Sequence, residues 1–221
     1  MPTHPQPLRV RAPRRPKADT GDHGTLPRSP TVLLLVDVIN PFDFPKADAL
    51  APAAWQAARA VARLKERLAA QQVLTIYAND NYGQWRSDFR QTLEHCLARG
   101  GVAAQMAKLL APAPSDLVML KPRHSAFYAT PLDLVLTQVH AKQLVIGGLA
   151  ADICVQLSAM DAVLRGYQVA VPSDCTAAET PEAKAQALAY MKRVLKADVR
   201  RSALVAPPQA KALQRASAQR K

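Results

Sequence analysis

The chain reads as an α/β domain of three layers, a largely parallel sheet with helices on both faces, and three observations predict it. Short runs of leucine and β-branched residues are continuous rather than alternating, as in strands buried on both faces. Each run is followed by a stretch with apolar residues at helical spacing, and this alternation persists along the chain. Finally, 221 residues, 49% of them apolar, suffice for one domain with a full core.

The first strand is TVLLLVDVI, Thr31–Ile39, and LAPAAWQAARAVARLKERLAA, roughly Ala51–Ala70, is the helix after it. VLTIYA, Val73–Ala78, is the second strand; a polar excursion, NDNYGQWRSDFR, then leads into a helical region ending near Leu110. DLVMLK, Asp116–Lys121, is the third strand and PLDLVLTQV, 131–139, a short helix. QLVIGG, Gln143–Gly148, is the fourth strand, followed by the helix DICVQLSAMDAVLRG, 152–166. QVAVPSD, 168–174, is the fifth strand, PEAKAQALAYMKRVLK a long helix, and a last short strand is expected near Val199–Val205.

The formal net charge of +12 at first suggests a nucleic acid or membrane partner, and its distribution argues against one. Residues 1–30 carry +4, residues 200–221 carry +6, and the stretch between them only +2. The charge therefore belongs to a basic, proline-rich tail at 1–30 and a basic tail at 207–221, flanking a domain at 31–206. No recognition motif or aromatic stacking pattern accompanies it, so no specific nucleic acid partner is expected. The N-terminus, with seven prolines in its first 30 residues, is neither a signal peptide nor an anchor, and no run approaches a membrane-spanning length. Three cysteines, Cys96, Cys154 and Cys175, form no disulfide framework and suit a reducing cytoplasm.

In open parallel sheets the site lies outside the carboxyl ends of the strands. Asp37, Lys121 and the turn Gly147–Cys154 arrive there from three distant segments: a carboxylate, an amine and a thiol at one edge. A cysteine at a helix start is expected to favour its thiolate, and a neighbouring ammonium pushes the same way. Asp37 can then act as general acid and base, and the N–H groups of the Cys154 turn can hold an oxyanion. These are the parts of an acyl-transfer site; the competing reading is that a lone cysteine on an apolar helix is packing.

LLLVDVINPF, KPRHSAF, and GGLAADICV followed by VPSDCTAA resemble, in order and spacing, the isochorismatase-like family of cysteine hydrolases, over roughly Thr31 to Val205. The resemblance implies a six-stranded parallel sheet of order 3-2-1-4-5-6 and a triad of Asp37, Lys121 and Cys154. It also implies a cis peptide at Leu149–Ala150, oxyanion donors at Ala150 and Cys154, and dimers or tetramers whose neighbours complete the pocket. Members that hydrolyse nicotinamide carry an Asp and two His after the second strand to bind a metal. Here NDNYGQWRSDF has no histidine, and Asp80 lacks partners at ligand spacing, so neither metal nor other cofactor is expected. Cleavage of the vinyl ether of isochorismate does not call for a thiol, so Cys154 favours a small amide, ureide or related C–N substrate. The alternatives are a binding module on the same fold and a true isochorismate-type hydrolase. Two departures from the family pattern, Ile39 for a frequent Gln and Ala151 for a common Thr, leave the triad whole.

Other residues carry weaker expectations. Arg123 binds a substrate carboxylate or makes a structural ion pair, and His124 is expected to order its loop. Ser125 and Phe127 look like family scaffold around the pocket, and Phe127 is counted with the substrate-binding residues. Asn79, Tyr82 and Trp85 lie where family members contact substrate, and Trp85 serves equally well as an interface anchor. Asp152 is expected to cap its helix. Asp174 resembles a structural position of the family, while Cys96 and Cys175 read as ordinary small residues.

Overall fold

The computed structural model describes residues 26–205. The expected basic tails fall largely outside the described residues. Residues 29 and 30 do not: Ser29 is buried, its Oγ accepts the N–H of Leu74 at 2.9 Å, and the Pro30 carbonyl accepts from Lys142 and Gln143. The folded unit thus begins before Thr31, because the Ser29 hydroxyl takes up the first N–H of β2 and the Pro30 carbonyl continues the sheet ladder.

The elements run β1 (Thr31–Val36), α1 (Ala47–Ala69), β2 (Leu74–Asp80), α2 (Phe89–Arg99), α3 (Gly101–Leu109), β3 (Leu117–Lys121), α4 (Leu132–Gln138) and β4 (Gln143–Leu149). A π-helical turn (Ala151–Val155), α5 (Gln156–Leu164), β5 (Gln168–Ala170), β6 (Thr176–Ala177), α6 (Pro181–Arg193) and a 3-10 turn (Ser202–Leu204) follow. The sheet is parallel, in the order β3-β2-β1-β4-β5, with β6 bonded to β4.

The continuous apolar runs behave as their composition requires. In β1, Leu33 and Leu35 enter the core under α1, α2 and α3, while Val32, Leu34 and Val36 enter the core under α4, α5 and α6. Both faces are dry, so there is no polar side to alternate. Among the described residues no helix is long and apolar enough to cross a membrane.

Boundaries move where the backbone has a reason. β1 stops at Val36 rather than Ile39, because Asp37 turns the chain in a left-handed conformation (φ 51). The helical region before Leu110 splits at Gly100, whose φ of 80 suits glycine. The fifth strand shortens to three residues before Pro172, which has no N–H to donate. The strand expected near Val199–Val205 is a single parallel bridge, Asp198 to Ala170, followed by the 3-10 turn. The Arg200 side chain folds back onto Asp198 while its carbonyl takes only a long bond from the Ser173 N–H at 3.3 Å, and Ser202 donates its N–H to Asp174 at 2.7 Å, tying the end of the domain down.

One close approach positions the site. Gly148 pairs with Val36 across β1 and β4, with φ 128, and a Cβ there would be driven into the Val36 carbonyl. The Gly148→Ala variant is therefore expected to lose more than about 4 kcal/mol of stability or to fail to fold, read as a collapse of the thermal unfolding midpoint.

Candidate active site

Strand register brings three side chains to the carboxyl edge of the sheet. Asp80 and Lys121 end β2 and β3 and are paired in register. Asp37 follows β1, its N–H donating to the Ala78 carbonyl at 3.1 Å before the chain turns. The Lys121 side chain is 0% exposed, with Nζ 2.9 Å from Asp37 Oδ2 and 3.4 Å from Asp80 Oδ2. The other oxygen of Asp37 accepts the Asp80 N–H at 2.7 Å, so the carboxylate is held at both ends.

Cys154 arrives from the other side. Leu149–Ala150 is a cis peptide, as the resemblance implied. The chain then makes the π turn, in which the Ala150 carbonyl accepts from Val155 at 3.1 Å. Such turns recur at functional sites. This turn replaces the regular helix start expected at Asp152. It places Sγ 3.6 Å from Lys121 Nζ. Ser158 Oγ donates to the Cys154 carbonyl at 2.6 Å and accepts the Ala126 N–H at 2.9 Å, locking the turn to the KPRHSAF loop.

The electrostatics differ from the expectation of a ready thiolate. Burial, and then the Asp37 charge, push the Cys154 thiol up to about 12, and Lys121 only partly opposes them. Burial works against the Lys121 ammonium, but Asp37, Cys154 and Asp80 outweigh it and raise its pKa. Burial also raises the Asp37 carboxyl above its ordinary value, against the pull of Lys121. The resting thiol is protonated, because desolvating an anion costs more than one shared ammonium returns.

A cavity of about 500 Å³ opens onto Sγ, lined among others by Asp37, Asp80, His124, Ala150, Asp152 and Glu179. An adjoining cavity of about 480 Å³ shares Asp80 and His124 with it and is lined further by Tyr82, Trp85, Arg123 and Tyr128. Tyr82, Trp85 and Arg123 thus stand beside the thiol cavity rather than in it. Asn79 and Phe127 do not reach either one. Asn79 is fully buried, its amide donating to the Ile39 carbonyl, because its β2 position points into the core. Phe127 packs in the core with Tyr167 stacked on it and Arg165 at 4.6 Å from its ring centre.

Three residues were read differently from sequence or missed. His124, expected to order its loop, places Nδ1 3.8 Å from Sγ. Asp152 makes no capping bond and lines the cavity instead. Asp80, weighed only as a metal ligand, is the second carboxylate on Lys121. Its place at the end of a strand paired with that of Lys121 was the available signal. Among the described residues no cluster of three or more His, Cys, Asp or Glu stands at metal-holding positions.

The model of the isochorismatase domain matches residues 31–202. The chain belongs to the isochorismatase family. A family member from Bacillus subtilis, the uncharacterized isochorismatase family protein YaaI, is 35% identical over 167 residues, 76% of this chain and 91% of its own length. Ureidoacrylate amidohydrolase RutB from Cronobacter sakazakii is 33% identical over 112 residues, about half of each chain at 48%. The crystal structure of N-carbamoylsarcosine amidase from Thermoplasma acidophilum superposes with a TM-score of 0.62 at 27% identity, covering 80% of this chain and 99% of that one. The nicotinamidase SaPncA from Staphylococcus aureus, at 24% identity, TM-score 0.61, and coverage of 78% and 98%, shares the fold.

The thiol's environment sets a pH response in this isochorismatase-family protein. An unfolded thiol loses its proton near 9.0, whereas the folded one keeps it to about 12. The folded state therefore binds more protons between those values, and stability falls as pH rises through them. Alkylation of Cys154, followed by mass spectrometry of the folded protein, should climb through pH 10 without a plateau. Asp37→Asn should shift that curve to lower pH by removing the nearby anion.

Proposed function

We propose that this protein hydrolyses a small amide- or ureide-type C–N bond, with Cys154 as nucleophile, Asp37 as proton carrier and Lys121 as the fixed cation between them. The observation that carries this reading is the convergence of carboxylate, ammonium and thiol, at 2.9 and 3.6 Å, beneath a substrate-sized cavity. Two relatives similar over part or most of this chain, an amidohydrolase and an amidase by name, support the choice of bond.

In acylation, Asp37 takes the S–H proton while Sγ attacks the carbonyl carbon. A protonated resting thiol makes this coupled transfer necessary, and the raised pKa of Asp37 makes it a better base for it. Lys121 stabilises the sulfur anion as it forms, and its charge is maintained throughout. The N–H groups of Ala150 and Cys154 receive the oxyanion. Collapse breaks the C–N bond, and the proton held by Asp37 passes to the departing nitrogen, leaving a thioester. Water then attacks the thioester and gives its proton to Asp37; collapse breaks the C–S bond and the proton returns to sulfur. No step in this scheme uses a metal or an organic cofactor.

Tyr82, Trp85 and Arg123 form the wall for the part of the substrate away from the scissile bond. Trp85 is 79% exposed, so it is a free wall for a planar group or a contact for a second copy in a dimer or tetramer.

A panel of small amides and ureides tests the reading. Cys154→Ala should reduce turnover by at least about a thousandfold with the unfolding midpoint preserved. Rapid quenching of the unmodified enzyme should show an acyl mass on the Cys154 peptide. Retained activity in Cys154→Ala would overturn the assignment.

A further inference from the structure

The charges around the thiol cavity are one-sided. Asp37, Asp80, Asp152 and Glu179 line it, and among the described residues no Lys or Arg does; Lys121, the ammonium beneath it, is fully buried and engaged by two of those carboxylates. Ionised, the four acids and one ammonium leave a net charge of −3 around a small volume with low-dielectric walls, which focus the field. His124 and the Cys154 thiol belong to the polar part of the wall as well.

Helix starts are the obvious counterweight, since each carries about half a positive charge. Two face this cavity, the π turn leading into α5 and the N-terminus of α6, and both are already answered. Asp152 lies in the first turn of one, and Glu179 precedes the Thr180 cap of the other, which also holds Glu182 in its first turn. A ligand anion would meet carboxylates where a bare helix terminus would have attracted it. Arg123, the cation expected to bind a substrate carboxylate, lines the adjoining cavity instead.

We propose that the site selects by charge: the group seated beside Cys154 is neutral or cationic, and a carboxylate next to the scissile bond is excluded. An anion is accepted only on a tail long enough to reach the Arg123 compartment. This rests on the hydrolase reading for the word substrate, but not for its test, because the field acts on any reagent that approaches the sulfur.

The test uses two alkylating reagents of similar size, neutral iodoacetamide and anionic iodoacetate, on the native full-length protein. Second-order rates at Cys154 are read by peptide mass spectrometry, and the iodoacetamide-to-iodoacetate ratio is compared with that of N-acetylcysteine under the same conditions. The ratio cancels the thiolate fraction, since both reagents attack the same sulfur. Cys96 and Cys175 are 0% exposed, and the mapping separates them in any case.

At low ionic strength Cys154 should favour the neutral reagent about tenfold more than N-acetylcysteine does, and the difference should shrink at about 0.5 M salt. Asp152→Asn combined with Glu179→Gln should abolish most of that difference, with unchanged circular dichroism. A ratio equal to that of N-acetylcysteine, a preference for iodoacetate, or a ratio untouched by the double variant would overturn the proposal. A protein that labels as expected yet forms no acyl-enzyme on any substrate would refute the hydrolase reading and leave the charge selection standing.

Discussion

An ammonium group without water is the constraint on which the rest of this structure depends. The Lys121 side chain is fully buried, and an isolated buried ammonium carries a desolvation penalty of several kcal/mol. It keeps its charge because Asp37, just past the end of β1, and Asp80, at the end of β2, both reach it. That arrangement works only with β1, β2 and β3 side by side and in register, so the ion cluster and the strand order are mutually dependent. The left-handed turn at Asp37 serves the same end: it stops the strand and leaves one carboxylate oxygen on Lys121 and the other on the Asp80 N–H.

Burial that strengthens this ion pair also governs the sulfur. Cys154 shares the dry environment and one of the cluster's carboxylates, so its proton is held tightly rather than released. Asp37 and Lys121 are fixed beside that protonated thiol, the ammonium 3.6 Å from Sγ. The turn that presents the thiol is fixed independently. Gly148 packs against the Val36 backbone at one end, and Ser158 clasps the Cys154 carbonyl at the other. Those contacts anchor Cys154 to β1 and to the loop after Lys121, next to the positions of Asp37 and Lys121.

Strands buried on both faces leave a strong trace in composition, which is why β1 and β4 are legible as Thr31-onward and Gln143-onward runs. Their ends are less so. Val38 and Ile39 continue the apolar run of β1, but they are core residues of the loop beyond the Asp37 turn. The segment after Asp198 sits at the sheet edge, where pairing is confined to one bridge and the Arg200 and Ser202 side chains turn to Asp198 and Asp174.

The sequence by itself determined the layered parallel architecture and the convergence of Asp37, Lys121 and Cys154 on one edge, because hydrophobic runs and strand ends are local features. Only the tertiary structure decided that Asp80 completes the ion cluster, that His124 stands against the sulfur, and that Asn79 and Phe127 belong to the core. The same is true of the thiol's sign: a helix start and a nearby lysine argue for a thiolate, while burial and Asp37 argue more strongly for a thiol. Desolvation is a property of everything packed around a group, and no local stretch of sequence contains it.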